Sequence, residues 1–304
     1  MNVKTLDPGA TVTSTPAAEW NIDAALVRAL LRTQHPDLAH LDIEPFGSGW
    51  DNAMFRLGAD LLVRLPRREV AEGLIENEQR WLPVLAPRLT LPVPAPVRVG
   101  VASEHFPWRW SVLPYLPGIA ADAAPVDTDE AERLADFLRA LHQPAPAEAP
   151  RNPVRGVPLE KRAAVTEERL VRLEQKTALI TQETYDAWRG GLAAPSATTD
   201  TWLHGDFHAR NVLVRGGRLS AVIDWGDLCQ GDCATDLACV WMLLPEPRAR
   251  EQAILRYGVD DALWRRARGW AVFFGAVLLD TGLIDDQRHA AMGEHTLRNL
   301  AEGP

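Results

Sequence analysis

Apolar positions along the chain change their period once, close to residue 118. Before that point short apolar runs are separated by turn residues. Ile22, Leu26, Ala29 and Leu30 mark one face of an early helix, and from Leu41 to Val99 the pattern is mostly that of short strands. Ala53–Leu57 and Leu61–Leu65 flank Gly58-Ala59-Asp60 and predict a hairpin. One helix, from Val70 to Leu82, interrupts the strands. Five prolines between Pro83 and Pro96 predict extended chain, and 108–115 reads as a further strand. After Gly118 the period is helical: Leu134, Phe137, Leu138 and Leu141 fall at i, i+3, i+4 and i+7, with Asp127 expected to cap the helix. A second proline-rich loop (144–158) leads to a charged helix over 159–179. Residues 201–224 again read as short strands, and the chain from Cys233 onward reads as helix. Residues 1–18 form a polar tail with Pro8, Gly9 and Pro16. The expected organisation is a small sheet-rich lobe over 19–113, a connector at 114–118 and a larger, mainly helical lobe over 119–304. No internal repeat is present.

Composition narrows the partners. The chain has 304 residues, 46% of them hydrophobic, with 32 basic against 41 acidic side chains, for a net charge of −9. Nucleic-acid binding, which needs a basic face, is not expected. The acidic excess lies beyond residue 116 (28 acidic against 21 basic) and suits a cationic ligand for the larger lobe. The longest uncharged apolar run, Gly269 to Leu279, falls short of the roughly 20 residues of a membrane span, so no membrane partner is expected. The three cysteines, odd in number and clustered, point to a reducing compartment, and a cytoplasmic location is expected. Their spacing fits no common zinc site.

The chemistry concentrates in Trp202-Leu203-His204-Gly205-Asp206-Phe207-His208-Ala209-Arg210-Asn211 and the Val222-Ile223-Asp224 that follows. A two-residue turn at Gly216-Gly217 would pair Val214 with Leu219 and, further back, Asn211 with Val222. Asn211 and Asp224 then meet at the open end of the hairpin, their backbones about 5 Å apart across the ladder, with Asp206 in the loop entering it. Two carboxylates and an amide offer oxygen ligands to a hard cation such as Mg²⁺, the usual escort of a nucleoside triphosphate. In the small lobe, Phe46-Gly47-Ser48-Gly49-Trp50-Asp51-Asn52 precedes a strand, and its glycines allow backbone amides to approach phosphate; a plain hairpin turn has the same signature. Arg64 lies within a strand and Glu78 on the apolar stripe of a helix, so the two are expected to pair.

These segments resemble the aminoglycoside phosphotransferase family of the protein-kinase-like superfamily. His204-x-Asp206-x4-Asn211 is similar to the kinase catalytic loop, Ile223-Asp224-Trp225-Gly226-Asp227 to the family's metal segment, and Gly231-Asp232-x3-Asp236-Leu237-Ala238 to the sequence after it. The resemblance implies an α+β, bilobal, protein-kinase-like fold, with a small N-terminal antiparallel-sheet lobe that binds nucleotide and a helical C-terminal lobe that carries the catalytic loop and the acceptor. It implies that Asp206 orients or deprotonates the acceptor hydroxyl. Asn211 and Asp224 hold Mg²⁺, and Asp236 braces the catalytic-loop backbone. Ser48 and Asn52 belong to the nucleotide-covering turn. Arg64, standing where the family usually has lysine, clamps phosphate and pairs with Glu78. Pro114 and Leu116 offer hinge backbone groups to the base. Asp227 is read either as a metal or substrate contact or as an exposed turn carboxylate. The implied activity is transfer of the terminal phosphate of ATP or GTP to a hydroxyl of a small molecule, an aminoglycoside-type antibiotic in the leading reading, and thus antibiotic resistance. Asp280, Asp285, Asp286 and Glu294 are the candidates to receive ammonium groups. The alternatives are a macrolide, amino alcohol or sugar acceptor, or a catalytically degenerate nucleotide-binding module.

Overall fold

The computed structural model describes residues 17–303. The expected tail falls mostly on residues 1–16, outside the described residues. The small lobe is a five-stranded antiparallel sheet of β1 (Ile43–Ser48), β2 (Asn52–Leu57), β3 (Leu61–Pro66), β4 (Arg98–Gly100) and β5 (Trp110–Pro114) in the order β1-β2-β3-β5-β4. Helix α1 (Ala24–Gln34) buries Val27, Leu30 and Leu31 and is capped by Asp23, whose carboxylate accepts from the Leu26 amide at 2.8 Å. Those three residues join Phe55, Leu57, Val63, Leu65, Phe106, Trp108, Trp110 and Val112 in one apolar core.

Helix α2 (Glu72–Leu85) runs through Pro83, where extended chain was expected. Proline forfeits a hydrogen bond inside a helix. Here Pro83 stands on the exposed side while Ile75, Trp81, Leu82 and Leu85 are buried, so packing carries the helix past it. The end of α2 does not pack into the small-lobe core: Trp81, Leu82 and Leu85, followed by Leu91 and Val93, bury themselves in the core of the large lobe.

The large lobe comprises β6 (Ile119–Ala120), α3 (Ala131–Leu141), α4 (Ala163–Glu174), α5 (Gln182–Ala193), β7 (Thr201–Leu203), β8 (Val212–Arg215), β9 (Arg218–Val222), β10 (Cys229–Gly231), α6 (Ala234–Leu237), α7 (Cys239–Leu243), α8 (Pro247–Tyr257), α9 (Asp261–Asp285) and α10 (Gln287–Ala301). The fold is thus the expected bilobal α+β arrangement. Two expectations are corrected. Asp127 makes no side-chain cap; a short 3₁₀ turn at Thr128–Glu130 starts the α3 segment instead, and buried Glu130 accepts from the Leu219 amide at 3.0 Å. The helix expected over 159–179 is a 3₁₀ turn plus the shorter α4, because the Leu173 carbonyl takes both the Lys176 and Thr177 amides and stops it.

Helix α9 has 25 residues and an 18-residue window of mean hydropathy 1.4, so it is long and apolar enough to cross a membrane by those measures, yet 72% of that window is buried inside the protein. It is the central helix of the lobe. It crosses α5 with glycines at the contact: a Cβ on Gly191 would lie 2.9 Å from the Gly269 Cα, whereas one on neighbouring Gly190 would meet only the Arg265 side chain at 4.0 Å. Gly191→Ala should therefore lower stability by about 1–3 kcal/mol, and Gly190→Ala should raise it by up to about 1 kcal/mol by removing backbone entropy from the unfolded chain. Melting temperatures of the two variants check this: shifts of the same sign would contradict the close crossing.

Candidate active site

Strand β7 pairs antiparallel with β10, and this ladder delivers the segment 204–211 to the cleft between the lobes. A fully buried carboxylate fixes its shape. Asp236, in α6, accepts from the His204 amide on Oδ2 at 2.7 Å and from the Gly205 amide on Oδ1 at 2.9 Å, and His142 Nε2 stands 3.3 Å from the same Oδ2. Gly205 has φ +84°, and a Cβ there would lie 2.5 Å from the Asp227 carbonyl, so the turn admits only glycine. His204 is buried, with Nε2 2.9 Å from the Ile223 carbonyl and Nδ1 3.2 Å from the Asp206 amide. Those partners assign a neutral ring that donates from Nε2 and accepts at Nδ1. His204 thus ties the catalytic loop to the Ile223-Asp224 segment and is a structural group.

Asp206 emerges from this scaffold half-buried. Its Oδ1 accepts from Arg155 Nη2 at 2.8 Å; its Oδ2 lies 3.2 Å from His208 Nε2 and 3.4 Å from Asn211 Nδ2. Burial pushes the carboxyl up, but the charges of His208 and Arg155 outweigh it and hold Asp206 far below the usual carboxylate range. Asp206 is therefore held as the carboxylate, an acceptor for the hydrogen of a hydroxyl. The same pairing outweighs burial at His208 and raises its pKa.

Asn211 ends a 3₁₀ turn (Ala209–Asn211) and donates Nδ2 to the Asp206 carbonyl at 2.9 Å, which leaves its amide oxygen as the free end. The hairpin register differs from expectation by one residue. Val214 faces Leu219 as predicted, but Leu213 faces Ala221, and Val212 faces Val222. Ser220 is the extra residue, its hydroxyl directed to the Pro117 carbonyl of the connector at 3.4 Å. The Ile223 amide then bonds the Asn211 carbonyl at 2.8 Å, bringing Asn211 one residue nearer Asp224. Asp224 is the one non-glycine among the described residues with positive φ (+60°), a conformation that costs about 1 kcal/mol or more. Its side chain is 60% exposed toward the cleft, with Oδ1 3.3 Å from Arg64 Nη2. An amide oxygen and one carboxylate fit Mg²⁺ when phosphate oxygens and water complete the octahedron. Among the described residues no group of three or more His, Cys, Asp or Glu could hold a metal alone. Burial pushes the cysteine thiols up, Cys233 to about 11.

From the small lobe, Arg64 Nη1 sits 2.7 Å from both oxygens of Glu78, and both side chains are buried. With its amide turned to match these donors, Asn52 accepts from Arg64 Nε at 3.1 Å and Nη2 at 2.8 Å. Burial pushes the Glu78 carboxyl up, to about 7, against the pull of Arg64. The glycine-rich segment is the hairpin between β1 and β2, closed by the Gly49 amide on the Asn52 carbonyl at 2.9 Å. A Cβ on Gly47 would meet nothing within 4 Å, so the fold itself does not require glycine there, and its bareness leaves backbone open to a ligand. Ser48 ends β1; its side chain is outside what is described. Behind the hairpin lies a cavity of about 550 Å³ lined by Asn52, Arg64, Pro114, Leu116, Asp206 and Asp224 among the expected residues. Glu78 stands behind Arg64 and Asn211 behind Asp206; neither lines the cavity. Trp50, Met54, Leu62, Leu74, Ile223 and Asp227 are among the other lining residues. In the connector the Tyr115 amide bonds Asp60, whereas Leu116 makes no backbone hydrogen bond among the described residues. Asp227 accepts from Asn152 Nδ2 at 2.7 Å, so it is not a loose turn carboxylate, and it lines the same cavity. Arg155 and Asn152 are the site residues that sequence reading missed; their loop has no periodicity, and its proline content marked it only as a connector.

The profile of the phosphotransferase enzyme family matches residues 42–270. The chain belongs to that family. Family membership makes it a small-molecule kinase. Among solved structures, the fold resembles the GDP complex of aminoglycoside 2'-phosphotransferase-IIIa (20% identity, TM-score 0.66, 92% of this chain and 99% of that one) and the streptomycin–ATP complex of APH(2")-IIa (20%, 0.58, 85% and 90%). It also resembles macrolide 2'-phosphotransferase MphH from Brachybacterium faecium (22%, 0.56, 90% and 97%). Among curated proteins none matches this chain by sequence.

The His208–Asp206 pair predicts a pH signature for this phosphotransferase. A histidine whose pKa is raised in the folded state contributes stability that is complete below its unfolded pKa of about 6.5 and is lost as pH rises through the folded value. Denaturant unfolding at pH 6 and pH 9 should show a loss of stability at the higher pH that is smaller in His208→Gln; equal losses would remove the charged pair.

Proposed function

We propose that the protein transfers the terminal phosphate of a Mg²⁺-bound nucleoside triphosphate, ATP or GTP, to a hydroxyl of a small molecule. The observation that carries this reading is the meeting of Asp206, Asp224 and Arg64 at one cavity, with Asn211 directly behind Asp206. Asn211 and Asp224 would hold the ion, which neutralises phosphate charge when bound. Pro114 and Leu116 present connector backbone to the base, and the bare hairpin around Gly47, Ser48 and Gly49 covers the phosphates. Asn52 sets the plane of Arg64, and Arg64, oriented by Glu78, donates to them. The acceptor oxygen forms a bond to the terminal phosphorus while the bond to the bridging oxygen breaks, releasing nucleoside diphosphate. Asp206 aligns the hydroxyl and takes its proton as the new bond forms. Catalysis is then mainly positioning and charge neutralisation. The intact Asp206, Asn211 and Asp224 favour an active enzyme over a degenerate binding module. A cytoplasmic setting, where such nucleotides abound, suits this chemistry.

Two acceptor classes have support. A polycationic antibiotic suits the acidic large lobe, and solved relatives include complexes with kanamycin and streptomycin; resistance would then be the biological outcome. A less charged hydroxyl compound is supported by the likeness to a macrolide phosphotransferase and by the state of the candidate carboxylates. Asp280 lies 2.7 Å from Arg172, Asp286 2.9 Å from Arg210, and Glu294 2.6 Å from Arg298, while Asp285 is exposed at the end of α9.

Asp206→Ala should retain nucleotide affinity within a few-fold and lose turnover by about 10³-fold or more. Asp224→Ala should abolish the Mg²⁺ dependence of nucleotide affinity. Calorimetric titration and phosphate incorporation over aminoglycosides, macrolides and amino alcohols measure both; near-normal turnover in Asp206→Ala would sink the role given to it.

A further inference from the structure

Arg155 defines the chemistry that an acceptor meets at Asp206, and the inference drawn from it rests on the phosphotransfer reading above. Its guanidinium Nη2 reaches Asp206 Oδ1 at 2.8 Å, and its plane is steadied by the Phe274 ring of α9, 4.8 Å from the guanidinium carbon to the centroid. The loop that carries it is tied down on both sides. Asn152 Oδ1 accepts from the amides of Val154 (2.8 Å) and Arg155 (3.0 Å), while its Nδ2 holds Asp227. Gly156, at φ +66°, donates its amide to Thr235 Oγ1 at 3.2 Å and accepts from the Asp232 amide at 3.0 Å; a Cβ there would come 2.5 Å from Leu203. An arginine anchored in this way differs from a solvated surface partner, whose ordering entropy cancels most of the gain.

Both side chains keep some exposure, 18% for Arg155 and 23% for Asp206, and Asp206 lines the cleft with Arg155 bonded at its edge. Among the described residues, Nη2 is the one nitrogen of this guanidinium with a protein hydrogen-bond partner. Nε and Nη1 are donors without a protein acceptor, beside the carboxylate that would receive the hydroxyl. Asp206 meanwhile has donors on both oxygens, from Arg155 on one and from His208 and Asn211 on the other. An ammonium next to the reacting hydroxyl would find Asp206 already neutralised and a fixed like charge beside it. A carboxylate, phosphate, carbonyl or ether oxygen would find two oriented donors. The geometry points to Arg155 as a specificity-determining residue that selects acceptors whose reacting hydroxyl is flanked by an anionic or neutral oxygen group rather than an ammonium.

Three small compounds that share a 1,2-diol and differ in the group on the third carbon test this: glycerate, glycerol and 3-amino-1,2-propanediol, each offered to the full chain with Mg-ATP and with Mg-GTP. Thermal-shift titration reads binding, and nucleoside diphosphate release reads transfer. The expected result is a preference of about 10-fold or more for glycerate over the amino diol, the scale of one charge-assisted hydrogen bond gained or lost. In Arg155→Gln that ratio should collapse to within about 3-fold while Mg-nucleotide affinity stays within about 2-fold; Arg155→Lys, which keeps charge without the fork, should fall between. A merely structural role would lower all three acceptors together and leave the ratio alone. Preference for the amino diol in the wild type, an unchanged ratio in Arg155→Gln, or no binding and no transfer with any of the three while nucleotide binds, each overturns the inference. Absence of Mg-nucleotide binding by the wild type would instead sink the phosphotransfer reading on which it stands.

Discussion

One buried guanidinium joins the parts of this molecule that must act together. Arg64 belongs to the central strand of the small-lobe sheet, Glu78 to the helix behind it, Asn52 to the hairpin and Asp224 to the large lobe, and all three touch Arg64. Burying such a charge is costly unless opposite charge and hydrogen bonds surround it, and removing one partner of a buried pair typically costs about 3–5 kcal/mol. The partners are therefore not optional. Their positions fix where the Arg64 guanidinium lies relative to the 204–211 loop. Where the family usually has lysine, the forked arginine contacts both acidic groups at once, on separate nitrogens.

On the other side of the cleft the arrangement follows the same rule with a different charge. Asp236 is fully buried and satisfied by two backbone amides, so the loop it braces has one conformation. His204 spends both ring nitrogens on backbone groups and cannot serve as a base. Asp206, the carboxylate proposed to meet the acceptor, has Arg155 and His208 beside it, and their charge holds its carboxyl well below the usual range. The most deeply buried polar groups, Asp236 and His204, thus shape the loop, while the partly exposed Asp206 and Asp224 line the cavity.

Much of this was legible in the sequence because local rules governed it. Alternation placed Arg64 inside the sheet, helical spacing turned Glu78 inward, and Gly216-Gly217 set the turn and the first two pairs of its ladder. What the sequence hid depended on tertiary neighbours. Ser220 bulges out because a connector carbonyl lies within reach, and that shifts Asn211 by one position. Helix α2 passes Pro83 because the buried side demands it. Arg155 meets Asp206 across 51 residues from a loop without periodicity, and no spacing rule could pair them. The carboxylates expected to await ammonium groups were legible as charges, but their arginine partners were not.

The end of helix α2 carries a mechanical consequence. The helix presents Glu78 to the small lobe, yet its last turn and the chain after it are embedded in the large-lobe core. It therefore acts as a strut across the cleft. The halves cannot swing apart as independent bodies without either breaking the buried Arg64–Glu78 pair or extracting Trp81, Leu82 and Leu85 from apolar surroundings, and both are costly. A change in cleft width therefore has to be absorbed on one side of this strut or the other and cannot occur at the 114–118 connector alone.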